Sequence, residues 1–100
     1  MYIVMNKFKI VTGSEKKFEE VWKKRDSNLD DVQGFIKFYL IKGERNDEYS
    51  IYASHSTWNS QQDFYNWVKS DAFRQAHKGA GKHADLYLGP PQLEEYEVIL

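Results

Sequence analysis

Four stretches of the chain alternate or run apolar in the manner of strands, and two carry the three-to-four-residue spacing of helices. Residues 2–11, YIVMNKFKIV, pass from a mixed run into alternation of Phe8 and Ile10 against Lys7 and Lys9, which predicts a strand with one buried face. Gly13–Ser14 then supplies a turn and a helix N-cap, with Glu15 in the first turn. In EKKFEEVWKKRDSNL, Phe18, Val21, Trp22 and Arg25 stand at i, i+3, i+4 and i+7, which predicts an amphipathic helix weakened at Asp26–Ser27–Asn28. GFIKFYLIKG (34–43) is aromatic and β-branched nearly throughout and reads as a well-covered strand, followed by a turn at ERND. EYSIYASHSTW (48–58) alternates Tyr49, Ile51, Ala53, His55 and Thr57 against Ser50, Tyr52, Ser54, Ser56 and Trp58, so these two runs form a hairpin. Ser60 and Asp63 stand in capping-box spacing ahead of a helix with Phe64, Trp67 and Val68 on one side. Ser70–Asp71 caps a second piece, with Phe73, Ala76, His77 and Ala80 at helical spacing, and Gly79 and Gly81 end it. KHADLYLGPPQ is expected to be loop, and LEEYEVIL a last strand.

The order β-α-β-β-α-β, with the second helix broken, is the split-βαβ, ferredoxin-like plan of an α+β domain spanning residues 1–100. Four antiparallel strands then carry helices on one face only. The aromatic strands leave the other face unsuited to water, so the expectation is a homodimer packed sheet on sheet.

Composition narrows the chemistry. Sixteen per cent of the 100 residues are aromatic, which argues against disorder. A chain this short buries about two-thirds of its unfolded surface, enough for one core but not for a deep cavity. A large ligand needs an open cleft or a second subunit. Fourteen Lys and Arg stand against 15 Asp and Glu, so there is no electrostatic footprint for nucleic acid or an anionic membrane. The absence of cysteine excludes disulfides, thiolate metal sites and a thiol nucleophile. No segment has the apolar length of a bilayer span, and the first residues lack the pattern of a secretion signal, so a cytoplasmic protein is expected. There is no G-x-S-x-G, and the GAGK at 79–82 follows a helix where a phosphate loop would precede one. The carboxylate pairs Glu19/Glu20 and Glu94/Glu95 read as solvated.

Three positions stay open on residue type alone. His77 sits in the apolar stripe of a helix, either as a half-buried packing residue or as a single axial ligand of a heme iron, for which one imidazole suffices. His55 and His83 have no second ligand at chelating spacing. Trp67 is ten residues from His77 and off its face on one continuous helix, but the break at Ser70–Asp71 lets both line one cleft. Asn6 interrupts a strand, as a bulge or edge residue or as an amide aimed into a cleft.

Those three residues, in that order and spacing, carry a resemblance. NKFKIVTG in the first strand and TWNSQQDFYNWVKSDAFRQAHK over the broken helix resemble the antibiotic-biosynthesis-monooxygenase superfamily of dimeric α+β barrels, more narrowly the IsdG-type heme-degrading monooxygenases. The resemblance implies that Asn6, Trp67 and His77 form a heme pocket and that Trp58 is structural. It implies a monooxygenase for which heme is both substrate and cofactor, with ring opening and iron release, O2, and an external electron donor. His77 is then the axial ligand, Trp67 ruffles the macrocycle, and Asn6 donates a hydrogen bond that steers attack onto a meso carbon. The stretch KGAGKHADLYLGPPQ departs from the family pattern. The heme propionates have Arg25, Lys78 and Lys82 as candidate partners, each of which is ordinarily a solvated charge. Two other functions fit the same residues: a cofactor-free monooxygenase acting on a quinol or aromatic polyketide, and a heme-binding module without turnover.

Overall fold

The first strand, β1 (Tyr2–Val11), forms where the apolar alternation predicts it and becomes an interior strand of a four-stranded antiparallel sheet. The computed structural model describes the chain except residues 26–28 and 77–79, with the backbone alone at 75, 76 and 80–82. Helix α1 (Glu15–Lys23) follows, then a short 3-10 turn at Leu29–Asp31, the hairpin of β2 (Phe35–Arg45) and β3 (Tyr49–Trp58), helices α2 (Gln61–Val68) and α3 (Asp71–Ala76), a 3-10 segment over Ala80–Leu86, and β4 (Gln92–Glu97). The sheet order is β2-β3-β1-β4, the ferredoxin-like arrangement in which the two βαβ halves interleave.

The pleat then sorts the side chains. On one face lie Tyr2, Val4, Asn6, Phe8 and Ile10 of β1 beside Trp58, Ser56, Ser54, Tyr52 and Ser50 of β3, residue against residue. The helices cover this face. Phe18 of α1 and Phe64 of α2 are buried against it, and each such burial contributes about 1.5–3 kcal/mol. The face divides into two clusters. One joins Tyr2, Val4, Trp58, Leu29 and Phe64, with Trp67 packed on it; the other joins Phe8, Ile10, Tyr52, Phe18 and Leu86, with Val21 and Trp22 packed on it. Trp58 is fully buried, edge-on to Phe35 and Phe64, which is the structural place expected of it.

Several boundaries differ from the sequence expectation, each for a local reason. The segment expected to be loop contains a 3-10 stretch that delivers Leu86, 2% exposed, into the core. Ser14 makes no side-chain cap; Glu15 instead accepts from Gly13 N at 2.8 Å and from the Ser50 hydroxyl at 2.7 Å. Strand β2 runs through Glu44 and Arg45, residues assigned to the turn, and Asn46 closes the hairpin by accepting from the backbone N–H of Glu48 and Tyr49. Strand β2 is also not covered on both sides. It is an edge strand, and Tyr39 (53%) and Ile41 (40%) stand exposed on the helix-free face, joined there by Tyr96 (50%) from β4. A run that is apolar on both faces looks like a buried strand until one knows which face the helices occupy.

Candidate active site

Asn6 occupies the seam between the two core clusters. It is neither a bulge nor an edge residue: it pairs with Ser54 of β3 on one side and Leu93 of β4 on the other, on the helix-covered face. Ser54 in turn pairs with Leu40 of β2. The row Leu93–Asn6–Ser54–Leu40 therefore crosses the whole sheet. Neither Asn6 nor Ser54 belongs to the apolar cluster on either side, and both are half-buried. Neither side chain makes a hydrogen bond to another described residue. Two uncommitted polar groups on a covered face are a cost to folding unless water or a ligand satisfies them.

Aromatic side chains wall this polar row. Trp67 of α2 belongs to the first cluster, with ring centroids 5.5 Å from Trp58, and that cluster reaches Val4, two residues along β1 from Asn6, or about 7 Å. Trp67 also meets Phe73 of α3 edge-on at 4.8 Å, so the break between α2 and α3 is bridged by packing. The break itself is built by Ser70, whose hydroxyl donates to Trp67 O at 2.5 Å and accepts from Phe73 N at 3.2 Å. On the other side Phe8 packs against Trp22 at 5.9 Å and Tyr87 at 5.8 Å. Trp22 stacks on Phe38 at 5.8 Å and 19°, joining the two clusters at the β2 side. At the opposite, β4 end of the row Leu93 is 55% exposed, so that end of the row is open to solvent. A flat, largely apolar molecule with polar edges suits an opening of this kind.

Asn6 and Trp67 lie on the same side of the sheet, at adjacent levels of the cleft. His77 lies outside the described residues, as does Lys78, and only the backbone of Lys82 is described. Arg25 lays its guanidinium over the Trp22 ring, 4.3 Å from the centroid, and burial lowers its pKa from the ordinary arginine value. It thus stands beside the cluster that borders the seam and is no plain solvated charge. No cluster of three metal-ligating side chains occurs among the described residues.

Sequence reasoning missed the fastenings around the cleft. Glu19 and Glu95, each half of a pair read as solvated, hold tyrosines in place. Glu19 accepts from the Tyr52 hydroxyl at 2.5 Å, and burial together with that bond raises the tyrosine's pKa. Glu95 accepts from the Tyr2 hydroxyl at 2.7 Å, and this bond pushes the phenol up to about 12. Glu15 accepts from Ser50 and pairs with Arg45 at 3.2 Å, and its carboxyl is held down at about 2, chiefly by the Ser50 bond. Ser54 was also passed over. Its place in the alternation was visible, but its pairing with Asn6 required the register.

The family follows from the sequence profile. The antibiotic biosynthesis monooxygenase model matches residues 1–79. The chain belongs to that family. Among its similar family relatives, a heme oxygenase (staphylobilin-producing) of Staphylococcus epidermidis is 31% identical over 85% of this chain and 81% of its own length. A heme-degrading monooxygenase of Halalkalibacterium halodurans is 31% identical over 98% of this chain and 82% of its own. In structure, the chain superposes on the heme-degrader MhuD of Mycobacterium tuberculosis, solved with two hemes in its active site, with a TM-score of 0.75. That match covers 100% of this chain and 97% of MhuD at 24% identity, and it establishes the ferredoxin-like fold of the antibiotic biosynthesis monooxygenase family here.

Proposed function

We propose that this protein is a heme-degrading monooxygenase, which binds heme as its substrate, opens the porphyrin ring with O2 and an external electron donor, and releases iron. The observation that carries this reading is the uncommitted polar row, Asn6 and Ser54, held between aromatic walls in a chain whose named relatives degrade heme. The donor set fits a porphyrin: the walls offer apolar contact to its faces and the seam offers polar groups at one level. Heme supplies the redox centre and is itself oxidised. His77 is assigned as the axial ligand through one neutral ring nitrogen, which a porphyrin's four nitrogens complete. Trp67, packed against Trp58, Phe64 and Phe73, is assigned to press on the macrocycle and distort it. Asn6 donates from Nδ2 into the cleft, and Arg25, which lies over the Trp22 ring, is a candidate partner for a propionate. The helix-free face, with Tyr39, Ile41 and Tyr96, is assigned to a second copy of the chain, in a cytoplasmic homodimer. Among the described residues no helix is long and apolar enough to cross a membrane.

Hemin titration followed by absorption, for the native protein and for His77→Ala, tests the reading. Ascorbate and catalase are then added in air. Saturable binding that His77→Ala loses, followed by decay of the Soret band in the native complex, is the expected result. Asn6→Ala is expected to keep binding and to slow the decay by about 10²-fold, the usual effect of removing one preorganised donor from a dry site. Binding with a persistent Soret band points to a heme-binding module. Equal and weak binding by native and His77→Ala proteins overturns the axial assignment and favours a cofactor-free monooxygenase.

A further inference from the structure

Trp67, on the wall of the cleft, begins a row of oxidisable side chains. Its ring centroid lies 5.5 Å from that of Trp58, which is fully buried. Trp58 stands directly opposite Tyr2 on the β1–β3 ladder, and both belong to one core cluster. Side chains so opposed have Cβ atoms about 4.5–5.5 Å apart. The Tyr2 hydroxyl in turn donates to Glu95 Oε1 at 2.7 Å, and Glu95 is exposed on β4. The hydrogen bonds give this row a direction. Trp58 Nε1–H donates to the Ser56 hydroxyl at 3.0 Å, a neutral acceptor too weakly basic to take the proton. An oxidised Trp58 therefore keeps its proton and remains a strong oxidant. The Tyr2 phenol bonds a carboxylate, which can accept its proton as an electron leaves. Gln61 Nε2 donates to the same phenol oxygen at 3.3 Å, so the phenol's own proton is committed to Glu95. Tyr52 also bonds a carboxylate, Glu19 at 2.5 Å, but Phe18 stands between it and Trp22, and a phenyl ring is too hard to oxidise to serve as a station.

We propose that Trp67, Trp58 and Tyr2 form a hole relay, with Glu95 as its proton acceptor, that drains oxidising equivalents from the cleft to the surface. This rests on the heme reading of the cleft given above. The oxidant is of the class that hydrogen peroxide generates at heme when O2 reduction is not coupled to ring oxidation. Trp67 yields one electron to it, Trp58 refills Trp67, and Tyr2 refills Trp58. The O–H bond of Tyr2 breaks as its proton passes to Glu95. The oxidant has then gained one electron, Tyr2 is a neutral phenoxyl radical, and Glu95 is a neutral acid. A surface reductant of the ascorbate class returns a hydrogen atom to the phenoxyl, and Glu95 releases its proton to water. The indole nearest the substrate is thereby restored instead of being consumed.

The first test needs no heme. Heme-free protein is oxidised by azide radical in pulse radiolysis, a one-electron oxidant of indoles, and the indolyl and phenoxyl absorption bands are followed. Indolyl decay matched by phenoxyl growth, at a rate independent of protein concentration, is expected in the native protein. Tyr2→Phe is expected to remove that growth, and Tyr52→Phe to leave it. Glu95→Gln keeps a hydrogen-bond acceptor but removes the base, and is expected to slow the growth by about 10²-fold. Trp58→Phe is expected to remove what Tyr2→Phe removes. Growth unchanged in any of Tyr2→Phe, Glu95→Gln or Trp58→Phe overturns the proposal. In hemin-loaded protein treated with hydrogen peroxide, electron paramagnetic resonance is expected to show a phenoxyl radical that Tyr2→Phe lacks. A heme-loaded protein that forms no phenoxyl radical, or forms the same one in Tyr2→Phe, also overturns it. If the native protein binds no heme while indole-to-phenol transfer still depends on Tyr2, the heme reading falls and the relay stands.

Discussion

Gly34 couples the hairpin to the helix that carries Trp67, and replacing it measures that coupling. Its φ is +85°, in the left-handed region, where a side chain costs about 1–2 kcal/mol. A Cβ built there would lie 2.4 Å from Asp63 Cβ and 2.3 Å from Asp63 Cγ. Rotation of the Asp63 side chain relieves only the second clash, so the first turn of α2 must shift. Asp63 is the third residue of the Ser60 cap: its backbone N–H donates to the Ser60 hydroxyl at 3.2 Å, and that hydroxyl donates to Asp63 Oδ2 at 3.0 Å. Loss of such a cap costs about 1 kcal/mol. Gly34→Ala should therefore destabilise by about 2–3 kcal/mol, a fall in Tm of roughly 10–20 °C for a chain of this length. Gly13→Ala is the control. Gly13 also has a positive φ, +98°, but its added Cβ meets nothing within 4 Å, so only the backbone cost of about 1–2 kcal/mol remains. Thermal and urea unfolding of the two variants separate the terms. Equal losses in both would refute the close approach of Gly34 to the α2 cap. Because α2 holds Trp67, Gly34→Ala should also weaken hemin binding where Gly13→Ala does not.

Two further outcomes are expected. Glu15, with its folded pKa held at about 2 against an ordinary 4.5, contributes stability that is present above pH 4.5 and lost as the pH falls through the folded value. Urea midpoints of Glu15→Gln should thus drop less steeply than native ones between those two pH values, and parallel curves would remove Glu15 as the cause. On the helix-free face, Ile41→Lys is expected to halve the mass seen by light scattering and to abolish any dependence of Tm on protein concentration. A native mass of one chain would sink the homodimer.

The stability prediction shows how far local reading reaches. The Ser60–Asp63 cap was legible as a spacing, because a capping box is closed within four residues. That Gly34 presses on its aspartate was not, because the contact joins positions 29 residues apart. The carboxylates behaved likewise. Glu19 and Glu95 look solvated in sequence because their partners, Tyr52 and Tyr2, lie 33 and 93 residues away.

By itself the sequence determined the element order, the ferredoxin-like plan, the inward pair Phe8 and Ile10, and the choice of Asn6 and Trp67 as residues to watch. Strand and helix periodicities are local, and a polar residue interrupting an apolar strand is visible without knowing its neighbours. Only the tertiary structure decided which face of each strand the helices cover, that Leu86 returns to the core, and that Asn6 meets Ser54 in a seam between two clusters. Register between strands β1 and β3 joins residues about fifty positions apart, and a slip of one residue would send every one of those side chains to the opposite face.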